Sequence, residues 1–419
     1  MTAAGCFKYI NKHKYSFIIL RIMLFIGITA LGLTYLASCT NKNSADVVQK
    51  KQITESQHPK NTGENNSSNN DAAKIDPDPE DKAAKTAKVE TIDYEAEAKN
   101  DVESLNKIMG DWEGIIYRKE QQIEEPVVAQ IIAFDNGRYQ ANLLSEFNKR
   151  VEPIVVLIGY TQDDGSVKFS KTNVTATIEN GLFNGIFISQ EDTFNLSRIY
   201  RVSPTMGKKP PAGAKVLFDG KSLENWKSTK DGNIQWKVVD KAIEVLPRTG
   251  SIYSKEQFGD CMVHLEFRTP LMPSSRGQDR GNSGVYLQGR YEVQILDSYG
   301  LKGHSDECGA IYQRWDPNRR PKGYEGHSPW INAALPPGQW QTYDIYFKAP
   351  KFDENGKKIE DAIMVKVLQN GQIIHKNQKL SGPTRASMFQ DEKPTGPLYL
   401  QGHGSKVQYR NIWVAKFNS

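Results

Sequence analysis

Residues 281–299 read G-N-S-G-V-Y-L-Q-G-R-Y-E-V-Q-I-L-D-S-Y. It holds two short alternating runs on either side of a Gly-Arg turn. Because side chains alternate between the two faces of a strand, one face of this predicted hairpin is apolar. The other face carries Tyr286, Gln288, Glu292 and Gln294. Such a face is typical of a sheet that binds a polar ligand, although an ordinary half-exposed antiparallel sheet alternates in the same way.

The same short alternating runs recur along most of the chain and predict an all-β protein. Residues 93–203 are predicted to form a small β domain that begins with one amphipathic helix over 93–109, since Asn-Gly and Asp-Gly turns separate its runs. Residues 204–213 contain three prolines and are predicted to link two domains. Residues 214–419 fit a two-sheet sandwich or jelly roll.

The N-terminus is typical of an exported lipoprotein. Three lysines precede an apolar run over residues 22–36, which ends in Leu-Ala-Ser before Cys39. We therefore expect residues 1–38 to be a signal peptide and Cys39 to carry a lipid on a bacterial membrane, at the outer membrane or cell surface. An uncleaved signal anchor is the alternative. Residues 39–92 are polar and predict a disordered tether.

The charge of the chain bears on its partners, and its cysteines bear on whether a disulfide forms. The formal charge of +5 comes mostly from the predicted signal, and the remainder holds 50 basic against 49 acidic residues. No basic patch indicates a nucleic-acid partner. Cys261 and Cys308 are left in the mature chain, and their spacing allows either a disulfide or two buried thiols.

Five segments of the second domain resemble one known family. They are V-L-F-D-G-K-S-L-E-N-W at 216–226, the hairpin at 281–299, C-G-A-I-Y at 308–312, G-Q-W-Q-T-Y-D-I at 338–345, and G-P-L-Y-L-Q-G-H-G at 396–404 with Y-R-N-I-W at 409–413. Their order and content resemble the DUF1080, or 3-keto-disaccharide hydrolase, family. The resemblance implies a concanavalin A-like jelly roll that cleaves glycosides whose sugar carries a 3-ketone. It also implies a separate sugar oxidoreductase that supplies this oxidised substrate.

Polar faces on several predicted strands suggest where such a substrate would bind. If these faces line one concave sheet, they bring nine side chains together: Glu266, Arg268, Tyr286, Gln288, Glu292, Gln294, Gln401, His403 and Arg410. Glu266, Arg268 and Arg410 could equally be surface or structural residues, and His403 could be a turn residue. The loop 313–337 carries Trp315 and Trp330, whose rings could stack on a sugar at the rim of the site.

A 3-ketone makes the proton on C2 acidic, so a base can remove it and the substituent on C1 can leave. Glu292 or His403 is the expected base, and Glu266 is a further catalytic candidate. Arg268, Arg410 or a divalent metal would stabilise the enolate. Glu292, His304 and Asp306 are candidate metal ligands, although their spacing matches no metal motif and no cofactor is certain.

Two other functions fit the same predicted fold. A lectin-like module would bind an unmodified sugar without cleaving it. A retaining glycoside hydrolase would need two carboxylates on one face, whereas Asp297 falls on the face opposite Glu292 unless a bulge intervenes. Hydrolysis and elimination are equally consistent with the keto-glycoside chemistry.

Overall fold

The computed structural model describes residues 92–417. The predicted signal peptide, Cys39 and the tether up to residue 91 lie outside the described residues. Within the described part, no helix has the length and apolar character needed to cross a membrane.

One α-helix, α1 (Tyr94–Leu105), opens the described chain. Its N-terminus is capped by Asp93, whose carboxylate accepts hydrogen bonds from the backbone N–H groups of Glu95 and Ala96. The buried face consists of Ala98 and Val102. The helix ends earlier than predicted because Asn106 adopts an extended conformation.

Eight antiparallel strands then close into a barrel. They are β1 (Gly110–Arg118), β2 (Ile123–Ala133), β3 (Arg138–Leu144), β4 (Val155–Thr161), β5 (Val167–Lys171), β6 (Val174–Glu179), β7 (Leu182–Phe187) and β8 (Asp192–Ile199). Trp112, Phe169, Phe183 and Phe194 pack in its interior. Asn136 and Asn180 each have a positive φ, as the predicted Asn-Gly turns require.

The C-terminal part is a sandwich of short strands. They are β9 (Lys215–Phe218), β10 (Trp226–Ser228), β11 (Lys237–Val239), β12 (Ala242–Glu244), β13 (Ile252–Phe258), β14 (Cys261–Arg268), β15 (Ser283–Leu287), β16 (Tyr291–Ile295), β17 (Arg314–Trp315), β18 (Gly323–Tyr324), β19 (Gln341–Lys348), β20 (Lys351–Phe352), β21 (Lys358–Glu360), β22 (Ala362–Gln369), β23 (Gln372–Leu380), β24 (Gly396–Leu400) and β25 (Gln408–Lys416). A short 3₁₀ turn, Gly277–Asp279, lies between β14 and β15.

Two sheets enclose the sandwich core. A five-stranded sheet has the order β10-β13-β24-β15-β16, and an eight-stranded sheet has the order β11-β12-β25-β14-β19-β22-β23 with β9 paired to β25. Apolar side chains from both sheets form one buried cluster, as the alternating pattern predicts. Cys261 and Cys308 lie buried as free thiols. The predicted all-β sandwich preceded by a small β domain is therefore confirmed.

The barrel and α1 pack directly on the sandwich. The phenol of Tyr299, just after β16, donates a hydrogen bond of 2.8 Å to the buried carboxylate of Asp111 on β1. The connection at 204–213 also lies against the eight-stranded sheet, where Lys208 pairs with Asp344 at 2.9 Å. This segment is therefore more than a loose linker, since its contacts hold it to the sheet.

Candidate functional site

A row of polar and aromatic side chains crosses the five-stranded sheet on the face away from the core. The strand register places Lys227 opposite Tyr253, Tyr253 opposite Tyr399, Tyr399 opposite Tyr286, and Tyr286 opposite Glu292. The core face of the same strands carries Val285, Leu287, Val293 and Leu400. The predicted split of the 281–299 hairpin into an apolar and a polar face is therefore present in the structure.

Glu292 is the carboxyl group at the end of this row. Its backbone N–H donates to the hydroxyl of Thr384 at 3.1 Å, and its carbonyl accepts from the N–H of Tyr312 at 3.2 Å. The residue is only 2 % exposed. Gly284, across the hairpin, makes room for it, because a Cβ added there would come within 2.2 Å of Oε1 of Glu292. The strand thus fixes this carboxyl group in a closely fitted space.

Burial raises the pKa of Glu292 to about 8, and a hydrogen bond with Tyr286 offsets part of that shift. No charged neighbour contributes to the change in its pKa. A carboxyl group whose pKa lies near neutrality can both release and take up a proton under physiological conditions. This is the property that general acid–base catalysis requires.

Tyrosines surround this carboxyl group. The Tyr286 hydroxyl accepts a hydrogen bond from the Gln401 amide at 3.1 Å, and the carbonyl of Arg385 lies 3.3 Å from it as an acceptor. The Tyr399 ring packs edge-on against the Tyr286 ring, with centroids 4.9 Å apart. Burial raises the pKa of Tyr286, and the nearby Glu292 raises it further, so this phenol keeps its proton. It is therefore a hydrogen-bond donor at neutral pH.

Gln294, two residues beyond Glu292, also lies on the site face. Its side-chain amide donates to Oε1 of Gln278 at 3.0 Å. The amide of Gln278 in turn donates to the carbonyl of Asp306 at 2.7 Å. The predicted residues Tyr286, Glu292, Gln294 and Gln401 are thus brought together on one sheet face.

Arg385 is a cation at this site that no pattern in the sequence indicated. Its guanidinium group stacks on the ring of Trp315 at 3.9 Å from the ring centre. Its charge lowers the pKa of Tyr312, although burial and Glu292 raise that pKa overall. No carboxylate among residues 92–417 forms an ion pair with Arg385. Arg385 lies in a loop far from the hairpin in sequence, so no strand pattern predicted its place at the site. Its contact with Trp315, a predicted rim residue, is the one link to the sequence-based prediction.

The expectation that Glu266, Arg268 and Arg410 share a sheet with Glu292 is wrong. Glu266 and Arg268 lie on β14 and Arg410 on β25, both in the eight-stranded sheet, where α1 and the 204–213 connection cover them. Alternation shows which residues share a face of one strand, but it does not show which sheet the strand joins.

These three residues have structural partners in the described chain. Arg410 binds the carboxylates of Glu97 and Glu266 and stacks on the Trp340 ring at 4.1 Å. Arg268 pairs with Asp101 of α1 at 3.1 Å. Although burial opposes it, hydrogen bonds from the neighbouring His264, Arg410 and Asn411 lower the pKa of Glu266 to about 2. Glu266 is therefore an anion that binds Arg410 and the 204–213 connection, which is the structural role the sequence left open.

The remaining predicted residues lie outside the row. Gln288 follows β15 with a positive φ, and its amide donates to the carbonyls of Phe258 and Pro394. Its donors are therefore used in holding the turn. His403 lies exposed in the turn after β24. Trp330 is 55 % exposed, which leaves its ring open to a ligand, and Trp315 is 42 % exposed although Arg385 covers part of its ring.

The predicted metal ligands do not form a metal site. Within residues 92–417, no three His, Cys, Asp or Glu side chains lie close enough together to hold an ion. His304 and Asp306 are exposed on a loop, whereas Glu292 is enclosed in the sheet. The set Glu292, His304 and Asp306 therefore does not fit a divalent metal, and no step below is assigned to one.

The sandwich is a carbohydrate-active enzyme domain, as its match to a known family shows. Residues 213–415 match the family model of the 3-keto-alpha-glucoside-1,2-lyase-like domain, and the chain belongs to this family.

Solved structures from Parabacteroides distasonis are similar to the sandwich. One protein, provisionally described as a glycosyl hydrolase, is 35 % identical over 49 % of this chain and 85 % of its own, with a TM-score of 0.43. A second with the same description is 19 % identical over 49 % of this chain and 94 % of its own, with a TM-score of 0.36. Among curated proteins, none matches this chain.

Proposed function

We propose that this protein cleaves 3-keto-glycosides by removing the proton next to the ketone, with Glu292 as the base. The observation that carries the proposal is the buried Glu292 carboxyl group, whose pKa of about 8 arises from burial and not from a second charge. Its carboxylate form is a stronger base than an exposed glutamate, because the site favours the protonated product.

The reaction balances without a redox step. The carboxylate takes the proton from C2, and the electrons of that C–H bond form a C2–C3 enolate on the ketone oxygen. The enolate then reforms the ketone while the bond from C1 to the leaving oxygen breaks, which gives a C1–C2 double bond. The leaving oxygen takes up a proton. If water then adds across the new double bond, the net result is hydrolysis, and without that step the enzyme is a lyase.

Two groups of the site are suited to stabilise the enolate oxygen: Tyr286, opposite Glu292, and Arg385, which follows Thr384. The Tyr286 hydroxyl retains its proton and can donate a hydrogen bond, and Arg385 supplies a positive charge that no carboxylate of the described residues neutralises. Such donors act on charge that develops only in the transition state. We assign His403, exposed beyond Gln401, as a candidate donor to the leaving oxygen.

A retaining glycoside hydrolase is less well supported by the geometry. That mechanism needs a second carboxyl group about 5 Å from the first. Asp297 is instead bound to Arg280 through an ion pair of 2.6 Å, and no carboxylate contributes to the raised pKa of Glu292. Because no carboxylate of residues 92–417 affects the pKa of Glu292, the geometry favours proton abstraction over attack on C1.

The test compares a 3-keto-glucoside with its parent glucoside in deuterated water, with product analysis by NMR. We expect cleavage of the keto sugar alone, with exchange or loss of the C2 proton. Glu292→Gln should lower turnover about 100- to 10,000-fold. The matched control is Glu256→Gln, at an exposed glutamate of the same domain, which should be fully active.

Two outcomes would contradict the proposal. Cleavage of the plain glucoside at a similar rate would favour the retaining hydrolase. Binding of either sugar without cleavage would favour a lectin-like module.

The proposed reaction also implies a second enzyme that supplies the substrate. Because the reaction involves no net oxidation, a separate sugar oxidoreductase has to supply the ketone. We further propose that a lipid on Cys39 holds the enzyme at a bacterial membrane, where it meets exported or imported glycosides.

A further inference from the structure

A cavity lies between the barrel and the sandwich. It is a cleft of about 470 Å³ whose walls include Gln130, Gln140 and Asn142 from the barrel and Lys302, His304 and Asn332 from the sandwich. This volume is in the range of small-molecule sites in proteins. None of the residues proposed above for catalysis lines it.

The cleft has walls of two kinds. Amide side chains line part of it, and Leu144, Val156 and Leu301 add aliphatic surface. A sugar ring has the matching character, because hydroxyl groups surround its edge while C–H groups cover its faces. Amide groups can donate and accept hydrogen bonds at once, which suits hydroxyl groups.

The charges at the cleft are already balanced by protein groups. Lys302 pairs with Glu152 at 2.9 Å, and Lys149 pairs with Glu146 at 2.7 Å. Arg150 donates to the carbonyls of Gly303 and Pro329. Arg150 and Glu307, which also line the cleft, carry one charge of each sign. The charged groups at the cleft therefore have no net formal charge, which favours a neutral molecule over an anion.

The walls are fixed while some polar groups remain free. The Asn142 amide donates to the carbonyl of Gly300 at 2.9 Å, which ties the barrel to the sandwich loop. By contrast, the side chains of Gln130 and His304 have no hydrogen-bond partner among residues 92–417. A preformed cleft with unused donors and acceptors is suited to bind a ligand without a large ordering cost.

The loop that forms one wall also reaches the Glu292 site. His304 faces the cleft, and two residues later the carbonyl of Asp306 accepts the hydrogen bond from Gln278. Gln278 in turn binds Gln294 on the site face. One loop therefore contacts both sites.

We propose that this cleft is a second carbohydrate site, which binds a neutral sugar unit of a glycan outside the bond that is cleaved. Sugar binding in the cleft is independent of the reaction, whereas its assignment to the substrate glycan rests on the proposed function. The barrel would then have a role in substrate selection.

Titration of the full chain with glucose trisaccharides of α-1,4, α-1,6, β-1,3 and β-1,4 linkage tests the binding. Gln130→Trp should fill the cleft and weaken binding about tenfold or more. Thr175→Trp, at an exposed position on β6 outside the cleft, is the matched control and should bind like the wild type. His304→Ala removes an exposed side chain and should weaken binding even if Gln130→Trp fails to fold.

Kinetics separate the two proposals. Gln130→Trp should raise the KM for a 3-keto trisaccharide and leave kcat/KM for a 3-keto-glucoside with a small leaving group unchanged. If no 3-keto substrate is cleaved, the proposed reaction is wrong. The titration still shows whether a sugar binds in the cleft. If no trisaccharide binds, or if binding is the same in the wild type, Gln130→Trp and His304→Ala, the cleft proposal is overturned.

Discussion

Glu292 and Tyr286 stand directly opposite each other on neighbouring antiparallel strands, and each changes the acidity of the other. The phenol lowers the pKa that burial has raised in Glu292, and the carboxyl group adds to the raised pKa of Tyr286. The phenol keeps its proton while Glu292 gains or loses one near neutral pH, at a place buried in the sheet. This relationship gives the site a measurable pH response.

The pH dependence of turnover tests that pair. If Glu292 is the base, kcat/KM should rise with pH through about 8, as the carboxylate forms. Tyr286→Phe removes the hydrogen bond that lowers this pKa, so the rise should move to higher pH. Tyr399→Phe, whose hydroxyl binds Ser251 at 2.9 Å, is the control and should leave the profile in place. An unshifted profile in Tyr286→Phe would argue against the pair.

Arg385 can be tested as the cation for the enolate. Arg385→Gln should reduce kcat about 100- to 1,000-fold, the range found when one oxyanion donor is removed. Arg385→Lys should recover part of the loss because the charge returns. Arg319, which stacks on Tyr324 at 4.1 Å, offers a matched control, and Arg319→Gln should retain kcat. Equal losses in both variants would point to a general effect of charge.

Stability should also depend on the ionisation of Glu292. The folded pKa of about 8 lies above the ordinary value of 4.5, so the neutral form favours the folded state. This contribution is complete below about pH 4.5 and is lost as the pH rises through about 8. The side chain in Glu292→Gln cannot ionise, so the variant does not lose this stability as the pH rises. The free energy of unfolding of the variant minus that of the wild type should therefore increase by roughly 2–5 kcal/mol across this pH window. Urea denaturation at pH 5 and pH 9 measures the difference, and a constant difference would contradict a buried neutral carboxyl group.

The packing of α1 on the sandwich predicts how a truncated protein behaves. We expect residues 212–419 to fold alone as a β-rich fragment. Without Glu97 and Asp101, however, Arg410 keeps only Glu266 as a partner and Arg268 loses its ion-pair partner. The fragment should therefore melt roughly 10 °C below residues 92–419, as followed by circular dichroism. Equal melting temperatures would show that the helix adds little.

Lipidation at Cys39 remains a prediction from the sequence. Cys39→Ala should move the protein from the membrane fraction to the soluble fraction, because a small-residue stretch before a cysteine is the expected attachment signal. Cys6→Ala, in the predicted signal peptide, is the control and should leave the distribution unchanged. Membrane association that survives Cys39→Ala would favour the uncleaved anchor.

The sequence predicted the parts of the site that lie on one hairpin and one neighbouring strand. Alternation alone placed Tyr286, Glu292 and Gln294 on a common face, because their period follows from strand geometry. The same alternation wrongly placed Glu266 in the sheet of Glu292. Strand pairing is set by contacts between residues distant in the chain, which a local pattern does not show. Arg385 was missed for the same reason, since no periodic pattern marks a loop residue.

The hydrogen bond between Tyr299 and Asp111 has a consequence for how this protein is related to simpler ones. In a homologue built from the sandwich alone, the phenol at this position would face water and would need no carboxylate partner. Selection on that residue should then relax, and it should vary freely among such homologues. In proteins that carry the barrel, the tyrosine and the aspartate should change together or not at all, so their covariation across genomes would record the history of the domain fusion.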